Sequence, residues 1–144
     1  MSDYHDKLRA QLERDEGRIE HCYFDSLGFA TIGVGHLIDE RRGGKLPDHI
    51  IDALLEWDIE EHEKALYLAL PWAQGLDTVR RCVLVNMAFN LGVPGLMKFA
   101  NTLALVKAGE YQAAAAAMLQ SKWAQQVGNR ATRLAKQMET GVWQ

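Results

Sequence analysis

Two carboxylates nine residues apart, Glu16 and Asp25, open the chemistry of this chain. They stand in RDEGRIEHCYFDSLGFATIGVGHL, Arg14 to Leu37, followed by Thr31 and by His36 behind Gly33 and Gly35. A glycosidase in the usual scheme places a protonated carboxyl beside the leaving oxygen and a second carboxylate across the sugar. A helix end at Glu16 and a hairpin tip at Asp25 would hold two carboxylates on opposite sides of a cleft. Thr31, on the second arm, would hydrogen-bond a water near Asp25. By spacing alone the stretch reads more readily as an acidic surface hairpin with a solvated charge face, since acidic pairs around hairpins are common. His36 is either a base or a structural imidazole.

The elements that must position these groups follow from periodicity and punctuation. Tyr4, Leu8 and Leu12 recur every four residues and predict a helix over 3–15, with Gly17 as its stop and Glu16 at its C-terminal end. Ile19–Phe24 and Phe29–Ile32 read as extended. Asp25-Ser26-Leu27-Gly28 between them carries the Asp and Gly that a type I turn prefers at its first and fourth positions. This hairpin is the one clear β element expected. After a loop comes a long helix over 47–70, with Pro47 in its first turn. Its apolar stripe is Ile50, Ile51, Leu54, Leu55, Ile59 and Leu66, and Asp58 falls inside that stripe. A carboxylate on a core-facing stripe is costly unless paired. That favours a buried pair with His36 and leaves Glu60, Glu61 and Glu63 solvated.

Pro71 ends that helix. Leu76–Leu91 forms the next, capped by Asp77, stopped by Gly92, and apolar around most of its circumference. A short segment over 95–99 precedes Asn101, the expected cap of a helix over 102–108, which Gly109 breaks. Tyr111–Leu119 is an alanine-rich helix whose burial is argued by Met118, Leu119 and Trp123. Asn129 or Thr132 opens the last helix, toward Met138. The count is about seven helices and one hairpin, with 47–70 as a spine between two lobes.

Composition narrows the classes. The chain has 144 residues, 48% hydrophobic and 24% charged, which is one globular domain with enough length to bury a core. No apolar run approaches the roughly 20 residues that span a bilayer. The charged N-terminus does not read as a secretory signal, so the expected location is the cytosol of the producing cell. In that compartment Cys22 and Cys82 read as two buried small hydrophobes rather than a disulfide. His62-Glu63 lacks the second histidine of a zinc-binding HExxH, and the glycine pair at 33 and 35 lacks the third glycine of a dinucleotide loop. No metal and no cofactor is therefore expected. The net charge of −3 hides an acidic half, −8 over residues 1–75, and a basic half, +5 over residues 76–144. Such halves face each other as lobes, or the basic one meets an anionic partner. The basic residues are scattered, and no nucleic-acid-binding pattern is present, so nucleic acid is not the partner expected. Arg130 and Arg133 are the candidates for contact with the acidic half, or are simply solvated.

The run Asp15-Glu16-Gly17, Asp25, then Thr31-Ile32-Gly33-Val34-Gly35-His36-Leu37 resembles the phage-type lysozymes, the T-even-like endolysins of glycoside hydrolase family 24. The resemblance continues in order through WDIEEHEKAL around Asp58, VRRCVLVNMAFNLG from Val79 to Gly92, FANTL, SKW, NRATR and TGVW, nearly the whole chain. It implies a mostly α, α+β lysozyme-like fold in one domain: a small lobe over about 15–46, the connecting helix over 47–70, and a helical lobe of 71–144 plus the N-terminal helix. It implies hydrolysis of the β-1,4 bond between N-acetylmuramic acid and N-acetylglucosamine in peptidoglycan. Glu16 would be the general acid, Asp25 the carboxylate that activates water, and Thr31 the residue that places that water. His36 and Asp58 match the family's structural ion pair, and Arg130 an arginine that approaches the catalytic glutamate, with Asn86 nearby. Gly35, Leu37, Phe89 and Thr102 match sugar-cleft positions. As an endolysin the protein would be a monomer without a membrane anchor, held in the host cytoplasm until a holin releases it to the wall. The family is described as inverting.

Three features depart from the T-even pattern. The chain between Leu37 and the spine is much shorter, Ala117 stands where the type member often has Asn, and the net charge is mildly acidic rather than strongly basic. Two rival readings exist. A module that binds wall sugar without cutting it has no need of Glu16, Asp25 and Thr31 together. Transglycosylation by a single glutamate needs neither Asp25 nor Thr31.

Overall fold

The computed structural model describes residues 3–38 and 45–144, apart from the side chains of Asp3, Tyr4 and Leu8. The loop expected after Leu37 lies partly outside the described residues, as do two side chains of the first helix's stripe. The order is α1 (Asp3–Glu16), β1 (Ile19–Phe24), β2 (Ala30–Gly33), β3 (His36–Leu37), α2 (Asp48–Ala69), a 3-10 turn (Pro71–Gly75), α3 (Thr78–Met97), α4 (Ala100–Lys107), α5 (Tyr111–Leu119), α6 (Lys122–Val127) and α7 (Asn129–Thr140). The fold is thus mostly helical α+β, with an antiparallel sheet near the N-terminus, as expected. The chain divides into two compact units, Met1–Ala53 and Leu54–Gln144.

In the first unit the hairpin is where the turn chemistry puts it. Gly28 N–H donates to Asp25 O at 3.0 Å, and Tyr23 and Phe24 pair with Thr31 and Ala30. The sheet is one strand larger than expected. His36 and Leu37 fold back on Ile32 and Thr31, giving the order β1-β2-β3. Two residues are too few to show an alternating pattern, so the third strand left no periodic signal.

The second unit carries the core. Leu66, Val83, Leu84, Met87, Ala88, Leu96, Val106, Ala114, Met118 and Met138 are buried within it. α7 packs on α3, α5 and α6, and α5 also on α4 and α6. α3 buries Val83, Leu84, Val85, Met87, Ala88 and Leu96, while Asn86, Phe89 and Asn90 leave one side of it exposed. Asp77 caps it, accepting the Arg80 N–H at 3.0 Å. Burial pushes the Asp77 carboxyl up, but the Arg80 amide and guanidinium outweigh it and hold it below the ordinary value. Arg80 also closes the far end of α7. Its Nε and Nη2 donate to Met138 O at 2.7 Å and Glu139 O at 3.0 Å, carbonyls that a helix end leaves unpaired. Its guanidinium lies over the Tyr111 ring.

Several expectations are corrected. Gly92 breaks the helical path at φ 71, but α3 resumes through Pro94 to Met97, because proline suits the first turn of the resumed helix. Asn101 is no cap. The turn closed by Phe99 N–H to Leu96 O starts α4 at Ala100, so Asn101 falls inside its first turn. Leu119 is 48% exposed, whereas Ala114, Ala115 and Met118 form the buried side of α5. α6, only six residues long, was missed: Ser121 opens it, accepting the Ala124 N–H at 3.1 Å. On α2, Leu66 alone is buried. Ile50, Ile51, Leu54, Leu55 and Asp58 are exposed, since only the C-terminal end of this helix enters the core. Cys22 is exposed rather than buried and Cys82 is half-buried; both are free thiols, and burial pushes the Cys82 thiol up. No single helix among the described residues is long and apolar enough to cross a membrane.

Candidate active site

Glu16 is the last residue of α1, and the chain turns at once. Gly17 N–H donates to Glu13 O at 3.0 Å, and β1 begins two residues later. The Glu16 side chain is exposed and lies against the β2–β3 turn. A Cβ built on Gly35 would stand 2.7 Å from Glu16 Oε2.

Asp25 is held by its own turn. Its Oδ1 accepts two backbone N–H groups, from Leu27 and Phe29, each at 2.9 Å. Oδ2 has no partner among the described residues and is the oxygen left to take a proton. Phe29 links Asp25 to Thr31. Its N–H serves Asp25 Oδ1, and its carbonyl accepts both the Asp25 N–H at 2.9 Å and the Thr31 hydroxyl at 3.1 Å. Thr31 is 4% exposed, the one buried polar side chain of this unit among the described residues. With its proton committed to Phe29 O, its Oγ1 is left as an acceptor. A water that donated one hydrogen to Thr31 Oγ1 and the other to Asp25 Oδ2 would be placed for activation. Sequence reasoning missed Phe29, because its contribution is a peptide group; the turn signal around it was the only available trace.

The division of labour at Asp25 gives a prediction. Asp25→Asn retains an Oδ1 for both amides and should cost under about 1 kcal/mol, whereas Asp25→Ala removes the acceptor and should cost roughly 1–3 kcal/mol. Both should lack hydrolytic activity. Equal unfolding midpoints in denaturant would refute the anchoring.

The remaining site residues divide between the units. Gly35, His36 and Leu37 accompany the catalytic candidates in the first. His36 is exposed, and so is Asp58 in the second, so the burial argued for that pair is found at neither residue. Asn86 and Arg130 are brought together. Arg130 Nε and Nη2 donate to Asn86 Oδ1 at 3.0 and 2.8 Å, and Nη2 also reaches Asn86 O at 3.3 Å. With Phe89, Leu55, Ile59 and Trp143 they line a pocket of about 680 Å³ in the second unit. The Phe89 ring lies 5.0 Å from that of His62. Thr102 is 5% exposed, in the first turn of α4, and outside that pocket. Among the described residues no group of three or more His, Cys, Asp or Glu side chains could hold a metal.

The sequence profile described as "Phage lysozyme" matches residues 13–139. The chain belongs to the phage lysozyme family. It is therefore a glycoside hydrolase of the lysozyme type, and the family covers the helix end, the sheet and the helical unit together. Among its relatives is a probable T4-type lysozyme 1 of Dictyostelium discoideum, 29% identical over 161 residues, covering 94% of this chain and 95% of that protein. The pre-baseplate central spike protein Gp5 of Enterobacteria phage T4 is 30% identical over 159 residues, 93% of this chain but 28% of the spike protein. A peptidoglycan hydrolase, gp36 of Pseudomonas phage phiKMV, is 26% identical over 133 residues, 90% of this chain and 15% of that protein. The family occurs both as a protein of this length and as a segment of much longer ones.

Proposed function

We propose that this family member is a muramidase that acts as an endolysin, cutting the β-1,4 bond between N-acetylmuramic acid and N-acetylglucosamine in peptidoglycan. The observation that carries the reading is the hydrogen-bonded unit Asp25–Phe29–Thr31, which leaves one carboxylate oxygen and one hydroxyl oxygen free to hold a water. Glu16 gives its proton to the glycosidic oxygen as the C1–O bond breaks. The water held by Asp25 Oδ2 and Thr31 Oγ1 bonds to C1 from the other face and passes a proton to Asp25. This is the inverting scheme; it leaves Glu16 ionised and Asp25 protonated, and solvent restores both. Phe89, Leu37 and Thr102 are proposed as saccharide positions.

The biological role follows from the same reading. The enzyme waits as a monomer in the host cytoplasm, and a holin opens the way to the wall. The similarity to a spike protein favours one second reading, a wall-cutting segment used by a phage particle at entry. Product analysis on purified peptidoglycan tests the chemistry. Reducing muramic acid ends are expected from the parent chain, and anhydro-muramic ends, or no ends, would overturn hydrolysis. Expression in a bacterium tests the role: lysis only with a co-expressed holin supports the endolysin, and no lysis with one opposes it.

A further inference from the structure

The resemblance assigns Gly35 to saccharide binding, yet its near neighbours are atoms of Glu16. A Cβ on Gly35 would lie 2.7 Å from Oε2, 2.9 Å from Cδ and 3.1 Å from Cγ of that side chain. The space a Gly35 side chain would take is thus filled by the Glu16 carboxyl. Glu16 has no hydrogen bond or ion pair among the described residues, so no donor or cation among them fixes its direction. The backbone at Gly35 is the surface it rests on.

The turn that provides this surface contains its own control. β2 and β3 are joined through Gly33-Val34-Gly35, and both glycines have left-handed backbones, φ 69 at Gly33 and φ 61 at Gly35. A Cβ on Gly33 meets nothing within 4 Å. The two positions make the same demand on the backbone, and only Gly35 touches Glu16.

We infer that Gly35 is a positioning residue for the general acid: its bare Cα is the wall that sets where the Glu16 carboxyl stands. The inference rests on the reading of Glu16 as that acid. A Cβ at 35 would push Oε2 away by at least 0.7 Å, from 2.7 Å to the ordinary contact limit of 3.4 Å. A carboxyl at the end of a flexible side chain swings aside cheaply, so the fold tolerates the change. The reaction does not, since a general acid must keep hydrogen-bond reach of the leaving oxygen. A misplacement of about 1 Å costs on the order of 100-fold in rate.

The test compares Gly35→Ala with Gly33→Ala on soluble peptidoglycan oligosaccharides, alongside thermal unfolding. Both should unfold at similar, slightly lowered temperatures. Gly35→Ala should lose about 30- to 100-fold in kcat with KM within about twofold, and Gly33→Ala should keep kcat within about threefold. If an alanine chain fails to fold, Gly35→Asn and Gly33→Asn replace the pair, since asparagine adopts the left-handed conformation more readily and still carries the Cβ. A rise in KM that accounts for the loss would return Gly35 to the saccharide and overturn the inference. So would equal kcat losses at both positions, or an undiminished kcat in Gly35→Ala. A parent chain that cleaves nothing removes the general acid and both readings with it; a parent that cleaves beside an undiminished Gly35→Ala overturns the positioning alone.

Discussion

A Glu16→Gln chain is expected to fold as the parent does and to cleave peptidoglycan at least about a thousandfold more slowly, the upper part of the range for a lost general acid. Glutamine matches glutamate in shape, so it should keep its place against Gly35. The exposed carboxylate has no hydrogen bond or ion pair to lose among the described residues. It also sits at the C-terminal end of α1, where the helix dipole disfavours negative charge and where Glu13 and Asp15 stand close in sequence. Removing the charge should therefore leave stability unchanged or slightly raised while catalysis collapses. That opposition identifies a group kept for chemistry at some cost to the fold. Unfolding midpoints and initial rates on peptidoglycan, measured on the same preparations, decide it. A rate within about tenfold of the parent would remove Glu16 as the acid, because proton donation is worth more than that.

Much of this arrangement was legible in the residues, and the parts that were not have two causes. The turn at Asp25–Gly28, the cap at Asp77 and the bounds of α5 each rest on local chemistry: an Asp and a Gly at fixed positions, an acceptor before a helix, a break on either side of an alanine run. Local signals survive in a sequence because they act within three or four residues. β3 and α6 are too short to leave a periodic signal, and the other misses are tertiary. Nothing near Asn101 says that Phe99 closes a turn on Leu96 and starts the helix early. Nothing in the stripe Ile50, Ile51, Leu54 and Leu55 says that only the end of α2 at Leu66 reaches the core. In the site, spacing made Glu16 and Asp25 possible partners and the family resemblance gave them roles. The anchoring of Asp25 through the Phe29 peptide, and the rest of Glu16 against Gly35, needed coordinates, because a backbone amide and an absent Cβ leave no letter in the sequence.

Trp123→Ala should be among the most destabilising substitutions in the helical unit, costing about 3–5 kcal/mol as expected for a buried large aromatic. Trp123 is 4% exposed, meets the Phe99 ring edge-on at 5.9 Å, and donates its Nε1–H to Asn90 Oδ1 at 2.8 Å. α6 has six residues, too few for a helix to persist by its own hydrogen bonds, so it depends on the Ser121 cap and on this one buried ring. α6 leads directly into Gly128 and α7, whose first turn carries Arg130. Loss of the indole should therefore loosen α6 and the start of α7 together, and lower the melting temperature by roughly 10 °C. Trp123→Phe separates the ring from its hydrogen bond. It keeps most of the apolar volume and leaves Asn90, which is exposed, free to turn to water, so it should cost nearer about 1–2 kcal/mol. Because Glu16, Asp25 and Thr31 stand on the other unit, both variants should still cleave peptidoglycan well below their melting temperatures. A fall of less than about 3 °C for the alanine chain would mean that the cap and the α5 and α7 contacts hold α6 without the indole, and that the ring is replaceable filling rather than the anchor of that helix.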